Sequence, residues 1–437
     1  MPTSSSHTTP CNRLANLGLG LTLCLIASSA HSESLMAIHS LAVGNDPQYK
    51  AAEAGLAAAQ EALPQSRANF LPSLRASASH TEDFDSSIDA YNSYSLALRQ
   101  PIYEHGSFVQ RRSAKSAVAQ AEAVFRGAEQ ALIVDVASAY FNVLSAQDNL
   151  QFAEAEKRSN ARQLDQTQQR FDVGLVAITD VHESRAAYDI SVAQAIEAQN
   201  LLDAAGESLR EITGRYHDSL DTLSEDMPLV PPTPIDLQDW TELALTQNPD
   251  LLAAMQATEQ AEENVNAQRS DHYPTVDLSL VHSDTDSDRF IAGTDTDSTT
   301  ATLSLNLALY SGGRTQSSIT QAREFLKQSR QALEQARRST QRTVRNAYRG
   351  VISGISRVKA LKQALVSSQS ALRAAEAGYE VGTRTTVDVL VARRNLFSAQ
   401  RDYSQSRYNY LLDTLRLQQA AGSLTTQNLK TVSDWLR

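Results

Sequence analysis

Four stretches of the chain alternate between apolar and polar residues with a period of two. In "SYSLALRQPI" (93–102) the apolar residues Tyr94, Leu96 and Leu98 alternate with small or polar ones, and "TATLSLNLALY" (300–310) shows the same alternation with four leucines. "TVDLSL" (275–280) repeats the pattern, and "SLRASA" (73–78) shows it weakly. This period is typical of strands with one apolar face. The sequence therefore predicts four strands, joined in pairs by the acidic, Ser-rich loops at 79–92 and 283–299.

A helical pattern follows each pair of strands. No proline occurs from Ile102 to Met227 or after Pro274, and Ala, Gln, Glu, Arg and Leu, all strong helix formers, dominate. A helix over 107–170 would be roughly 96 Å long at about 1.5 Å per residue. In the second copy the spacing of Val358, Leu361, Leu365 and Leu372 is that of a coiled-coil seam. A short Val-Gly loop ends each long helix, and a helix of about 35 residues returns.

A shorter helix precedes each pair of strands. These segments, 51–70 and 251–273, follow Asp46-Pro47 and Asn248-Pro249. Proline is well tolerated in the first turn of a helix. Pro72 and Pro274 are predicted to end the two helices.

The chain is an internal duplication. "RFDVGLVAITDV" (170–181) aligns without a gap on "GYEVGTRTTVDV" (378–389), at an offset of 208 residues. The predicted organisation is a signal peptide (1–32), a first repeat (33–215), a Pro-rich linker and equatorial region (216–246), a second repeat (247–423) and a C-terminal equatorial tail (424–437).

The N-terminus predicts secretion. Arg13 precedes an apolar stretch (14–27), and Ala30 and Ser32 stand at suitable positions before a cleavage site. Lipid attachment at Cys24 is disfavoured because Leu23 stands where a small residue is expected. Both cysteines lie in this leader, so we expect no disulfide in the mature protein.

Composition and motifs exclude several classes of function. The net charge of −11 argues against a nucleic-acid partner, which would need a basic surface. No metal-binding, nucleotide-binding or nucleophile motif occurs, so we expect that the protein is not an enzyme and has no cofactor and no metal site. "DTDSD" (284–288) resembles the start of a calcium loop, but Arg289 stands where glycine is needed and a solvated loop is favoured.

Four strands cannot close a barrel, and open edges are not tolerated in lipid. The sequence therefore predicts that two, three or four copies pool their strands, while the long helices project into the periplasm. Aromatic residues at the helix-side ends of all four strands fit an interfacial girdle facing outer-membrane lipid, with ordinary strand-end packing as the alternative: Phe70, Tyr103, Tyr273 and Tyr310. Two other interpretations are a soluble periplasmic coiled-coil structural or adaptor protein and a self-contained diffusion porin.

Several long strings resemble the TolC family of outer-membrane channels. They are "AYFNVL" (139–144), "QLDQTQQRFDVGLVAITDV" (163–181), "GYEVGTRTTVDVL" (378–390) and "RYNYLLDTLRLQQAAG" (407–422), and the resemblance covers about residues 35–424. It implies a mixed α/β membrane protein, a homotrimer with a shared twelve-stranded outer-membrane barrel and a long α-helical coiled-coil tunnel in the periplasm. It also implies an exit duct for drug efflux and type I secretion, with a periplasmic adaptor and an inner-membrane RND, ABC or MFS transporter as partners.

The resemblance also assigns a gate at the tip of the tunnel. Asp180 would bond Tyr379 within a protomer, and Gln163 would meet Glu376. Arg384 would reach Thr179 and Asp180 of the neighbouring protomer. For Asp180 the alternative is a helix-capping role, which Asp commonly fills.

The same family pattern predicts an acidic ring and a docking surface. Asp388 of three copies would face the tunnel axis, where like charges raise a carboxyl pKa and attract cations. The family's second aspartate is replaced by Val391, so we expect weaker block by multivalent cations, with Arg393 and Arg394 nearby. The adaptor would dock on the tips of both loops: Val173, Gly174, Leu175, Val381, Gly382 and Thr383.

Overall fold

The computed structural model describes residues 32–82, 90–287 and 296–437. Nearly all of the predicted signal peptide and the tips of both acidic loops, including Asp288 and Arg289, lie outside the described residues. The elements run in chain order as α1 (Leu35–Asn45), α2 (Pro47–Gln60), α3 (Ala62–Ala68), β1 (Ser73–Glu82), β2 (Ala90–Glu104), α4 (His105–Asp172), α5 (Ile178–Thr213), α6 (Leu237–Gln247), α7 (Pro249–Ser270), β3 (Thr275–Ser287), β4 (Thr296–Asn306), α8 (Arg314–Glu380), α9 (Thr386–Ala421) and α10 (Thr426–Ser433).

The four predicted strands form one antiparallel sheet in the order β1-β2-β3-β4. Leu98 lies between Leu74 of β1 and Leu280 of β3, so leucines stand side by side across the sheet. The described part of the chain does not cover their face: Leu303 and Leu305 of β4 are 69% and 68% exposed. An uncovered apolar sheet face is the surface that lipid would contact.

Strand β4 is shorter than predicted. The leucine alternation continues to Tyr310, but the strand ends at Asn306, which pairs with Thr275 at the start of β3. Pro274 precedes Thr275 and has no N–H to donate, so β3 cannot extend to pair with Leu307 and Leu309.

The long helices are confirmed. Helices α4 and α8 contain 68 and 67 residues, which makes each roughly 100 Å long. Each forms a hairpin with the 36-residue helix that follows, α4 with α5 and α8 with α9. The hairpins join where α4 contacts α9, which leaves α5 and α8 at the two outer edges.

The main core lies at mid-height of these helices. Tyr140 and Phe141 of α4 pack there with Tyr410 and Leu411 of α9, all essentially inaccessible to solvent. The short helices α1, α6 and α10 contribute to the same cluster. The Tyr140 hydroxyl donates to the carbonyls of Glu33 (3.1 Å) and Asp221 (2.9 Å), which ties both segments to α4.

The helices before the strands differ from the prediction in one respect. Pro47 and Pro249 do open α2 and α7. The first segment, however, is broken at Glu61 into α2 and α3, because the ring of Pro64 clashes with a continuous helix and offers no N–H. Among the residues that the structure describes, no helix is long and apolar enough to span a bilayer.

Candidate functional site at the tip of the hairpins

The two Val-Gly loops have the same backbone. Gly174 and Gly382 both adopt φ +76°, a left-handed conformation that favours glycine. In the first loop the N–H of Leu175 donates to the Arg170 carbonyl at 2.9 Å. In the second, the N–H of Thr383 donates to the equivalent carbonyl of Gly378 at 2.8 Å. Each loop therefore ends its long helix with the same C-terminal motif.

The aspartates of both copies of the duplicated loop cap the returning helices. The Asp180 carboxylate accepts the Ala177 N–H at 3.2 Å. Asp388 accepts both the N–H and the hydroxyl of Thr385 at 2.9 Å. These bonds satisfy donors that a helix start leaves unpaired, which explains aspartate in both copies.

The environment of Asp388 opposes the expected effect of an acidic ring. In one chain the Thr385 N–H, then the Thr385 hydroxyl and the Arg384 guanidinium, lower the pKa of Asp388. Arg384 lies 3.8 Å from this carboxylate and is largely exposed. Any rise in the Asp388 pKa would have to come from neighbouring copies and overcome these contacts.

Neither of the two hydrogen bonds expected within one chain is formed. Asp180 is occupied by its helix cap, and the Tyr379 hydroxyl, although hidden from solvent, has no hydrogen-bond partner among the described residues. The Tyr379 ring instead lies under the Arg170 guanidinium, 4.8 Å from the ring centre. Gln163 is buried and bonds Thr167 at 3.3 Å, within its own helix.

Glu376 is held by Arg393, which the sequence left without a role. The Arg393 guanidinium lies 3.2 Å from Glu376 on α8 and 3.4 Å from the Ser159 carbonyl on α4. Its side chain is only 9% exposed, so it does not face open solvent, whereas Arg394 is exposed. A charge-assisted bond from arginine outcompetes a neutral amide for the carboxylate, which explains why Gln163 does not reach it. Glu376 lies seven residues before the loop centre at Thr383 and Arg393 ten after it. Opposite charges at similar depth on the two facing helices are the signal that the sequence does contain.

A polar seam joins the two hairpins above the tip. Arg401 of α9 reaches Glu156 of α4 at 3.4 Å, and the Glu156 side chain is only 7% exposed. Farther up, the Tyr408 hydroxyl donates to Asp148 at 2.9 Å, and Ser404 donates to the same carboxylate. The contact between hairpins in this region is thus built from charged and hydrogen-bonded groups.

The remaining predicted residues fall into two groups. The loop tips expose apolar side chains: Val173, Leu175 and Val381 are 70%, 74% and 75% exposed, beside Gly174, Gly382 and Thr383. The four aromatics stay at the helix-side end of the sheet, where Phe70 packs edge-on against Phe108, 4.9 Å between ring centres, and Tyr273 stacks on His105 at 4.3 Å. Tyr310 is 87% exposed and Tyr103 is 37% exposed.

Comparisons with known proteins match almost the whole chain. The outer membrane efflux protein family matches residues 38–215 and 240–423. The outer membrane protein TolC of Vibrio cholerae is 36% identical over 433 residues, covering 97% of this chain and 99% of that protein. The alkaline protease secretion protein AprF of Pseudomonas aeruginosa is 30% identical over 440 residues, covering 96% and 91%.

A solved structure shows the same fold. The outer membrane protein VceC of Vibrio cholerae superposes with a TM-score of 0.75 at 21% identity, covering 89% of this chain and 96% of that one. At this identity the similarity is one of architecture: a short sheet continued by very long helical hairpins.

Proposed function

The chain belongs to the outer membrane efflux protein family, and we propose that it is a trimeric exit duct for drug efflux and type I protein secretion. It is located in the outer membrane, as its relatives are. One observation carries the proposal: two helices of 68 and 67 residues run from an uncovered apolar sheet to a common tip with matched loops. The secretion protein AprF among the relatives supports the secretory role.

Three copies account for the sheet. Strands β1 and β4 each have one neighbour within the described part of the chain, so a single copy leaves two edges unpaired. Three four-stranded sheets joined edge to edge would give a closed twelve-stranded barrel, in the size range of bacterial outer-membrane proteins. The long helices would then continue as a tunnel into the periplasm.

The tip serves as the gate in this proposal. The Arg384 guanidinium is largely exposed and can reach Thr179 and Asp180 of a neighbouring copy. The Tyr379 hydroxyl is hidden from solvent and has no partner in the described residues, so its bond with Asp180 of the same protomer requires a rearrangement of the tip. The other predicted gate residues lie near the tip ends of the helices: Gln163 in α4, Glu376 in α8, and Thr179 and Asp180 in the first turn of α5. Asp388 lies in the first turn of α9, four residues after Arg384. Contacts of this kind at a wet tunnel mouth are worth only about 0–1 kcal/mol per exposed pair. A partner could therefore open the gate.

The exposed apolar loop tips would receive a periplasmic adaptor. Val173, Leu175 and Val381 protrude into solvent at the end of the hairpins, where small apolar groups can enter a groove on another protein. An inner-membrane RND, ABC or MFS transporter would provide the energy. The duct itself is passive, in agreement with a family of efflux proteins and with structural neighbours that are channels rather than enzymes.

Single-channel recording in planar bilayers tests the proposal. The wild-type protein is compared with the double variant Tyr379→Phe, Arg384→Ser and with a matched control, Tyr216→Phe, Arg338→Ser. The control removes an exposed tyrosine hydroxyl and an exposed arginine far from the tip; Arg338 pairs with Glu334 of its own helix at 2.8 Å. We expect small wild-type and control currents that grow several-fold in the tip variant.

The other outcomes separate the alternatives. Absence of current from all three proteins would contradict the channel and favour a periplasmic coiled-coil scaffold. Large currents that are equal in all three would keep the channel and remove the gate assigned to Tyr379 and Arg384.

A further inference from the structure

The two outer edges of the helical hairpins carry opposite charge. Helix α8 contains 13 arginine and lysine residues and four acidic ones. Helix α5 contains seven acidic residues and two basic ones. This separation is not dictated by the chain as a whole, whose net charge is negative.

The charges on α5 repeat with a spacing of 14 residues. Glu183, Glu197 and Glu211 are all exposed. Fourteen residues make four turns of a coiled-coil helix, so the three carboxylates share one face. Each carboxylate stands two positions after a buried residue on the side of α5 that faces α4. These buried residues are Val181, Ala195 and Leu209. Two positions turn a helix by about 200°, so the carboxylates point away from the hairpin partner.

The charges on α8 have the same spacing. Arg345, Lys359 and Arg373 are exposed and also lie 14 residues apart. Each stands one position after an apolar residue that is turned inward: Val344 and Val358 are buried, and Leu372 is half-buried. They therefore stand about 100° from that inward side, on an outer flank of the helix. Within the described parts of one chain, none of these six side chains forms an ion pair.

The two sets also match in height above the tip. Glu183, Glu197 and Glu211 lie 5, 19 and 33 residues after the first residue of α5. Arg373, Lys359 and Arg345 lie 7, 21 and 35 residues before the last residue of α8. The ends of the two hairpins are level, because Arg170 at the end of α4 contacts Tyr379 at the end of α8. Each residue of α5 is thus two residues nearer to the tip than its counterpart on α8. This offset is only about 3 Å, whereas successive charges on one helix are about 21 Å apart.

We propose that α5 of one copy packs against α8 of the next through this ladder of three charge pairs, Glu183 with Arg373, Glu197 with Lys359 and Glu211 with Arg345. The inference rests on the proposed trimeric duct, and the partner is a second copy of this chain. Such a head-to-tail contact closes a ring when repeated. Exposed pairs add little binding energy individually, so the ladder sets register and choice of neighbour.

Cysteine cross-linking tests which edges meet. Cys11 and Cys24 are first replaced by serine, because they are the only cysteines in the chain. The pair Glu197→Cys, Lys359→Cys places both thiols at nearly one height. The control pair Glu197→Cys, Arg345→Cys separates them by 16 residues along the helices, about 24 Å, and a disulfide needs Cα atoms within about 7 Å. After mild oxidation of the purified protein in detergent, we expect covalent dimers and trimers from the first pair and at least a several-fold lower yield from the control.

Charge exchange tests the ladder itself. The pair Glu183→Cys, Arg373→Cys serves as reporter while the two upper rungs are changed. We expect Lys359→Glu with Arg345→Glu to reduce the reporter yield several-fold at low salt. Adding Glu197→Lys and Glu211→Lys should restore it, and high salt should reduce the difference among the variants.

The oligomeric mass in detergent distinguishes the failures. A monomeric mass would contradict the trimeric duct itself. A trimer without cross-links from the matched pair would overturn the α5–α8 contact alone. A reporter cross-link yield that charge reversal leaves unchanged would show that the charged edges do not direct assembly. The edges would then be assigned to contact with another protein.

Discussion

Loss of Arg401 should weaken the closed tip, because it leaves a buried carboxylate without its partner in the seam between the hairpins. Glu156 is nearly inaccessible and Arg401 is its partner at 3.4 Å, with an arginine side chain that is 32% exposed. The substitution Arg401→Leu keeps bulk against α4 but leaves the carboxylate buried and unpaired. We expect the two hairpins to separate more readily, and the channel to open.

The magnitude follows from the burial of the two groups. Breaking a fully buried ion pair by removing one partner costs about 3–5 kcal/mol. Here the separation is long and the arginine is partly solvated, so we take about 1–3 kcal/mol. This corresponds to a change of about 5–150-fold in the ratio of open to closed channels.

Single-channel recording at neutral pH measures this effect. In Arg401→Leu the open fraction should exceed that of wild type, because the buried Glu156 carboxylate without its partner favours separation of the hairpins. The double variant Glu156→Gln, Arg401→Leu carries no charge there and should close nearly as well as wild type at neutral pH. If the single variant conducts like wild type, or the double variant opens as widely as the single one, the seam does not hold the tip closed.

Three further predictions concern the loops. Gly382→Ala should destabilise the tip by about 1–2 kcal/mol because Gly382 adopts φ +76°, whereas Gly206→Ala in α5 should be neutral or stabilising. Hydrogen exchange of the tip amides compares the two variants. Equal protection in both would contradict the backbone strain at Gly382. Because the pKa of Asp388 is lowered, its cap stabilises the start of α9 at pH values above the ordinary carboxyl range, and this stabilisation is lost as the pH falls through the lowered pKa. Hydrogen exchange of the Thr385 amide should show this loss, and Asp388→Asn should abolish the pH dependence. An exchange profile that the substitution leaves unchanged would refute the cap. Val391→Asp should strengthen block by multivalent cations in bilayer recordings, because Val391 is exposed one turn beyond Asp388. The control is Val366→Asp, since Val366 is exposed farther from the tip on α8. Equal block in both variants would contradict a second acidic ring.

Most of the fold was predictable because its signals are long. A helix such as α4, free of proline over 68 residues, cannot be mistaken for loops, and the leucine alternation of β2 fixes a strand with one apolar face. The failures are local. Pro64 breaks a helix that the surrounding alanines favour, and β4 stops at Asn306 because its partner begins after Pro274.

The tip was predictable in position but not in its contacts. The duplicated loop located Asp180 and Tyr379 correctly at the hairpin ends, yet the hydrogen bond between them is absent because the aspartate is occupied by its own helix start. Arg393 was visible in the sequence, but its contact with Glu376 depends on how far each helix is rotated, which spacing alone does not specify. The assignments that involve neighbouring copies stay predictions.

The unpaired edges of the sheet have a genetic consequence. In the proposed duct, strands β1 and β4 both pair with neighbouring copies, so every assembled unit contains products of several translation events. If a cell makes equal amounts of normal and defective chains that still assemble, only about one unit in eight of the proposed trimer contains normal copies throughout. Alleles that disturb the tip but spare the sheet should therefore be dominant, whereas alleles that prevent strand pairing should be recessive.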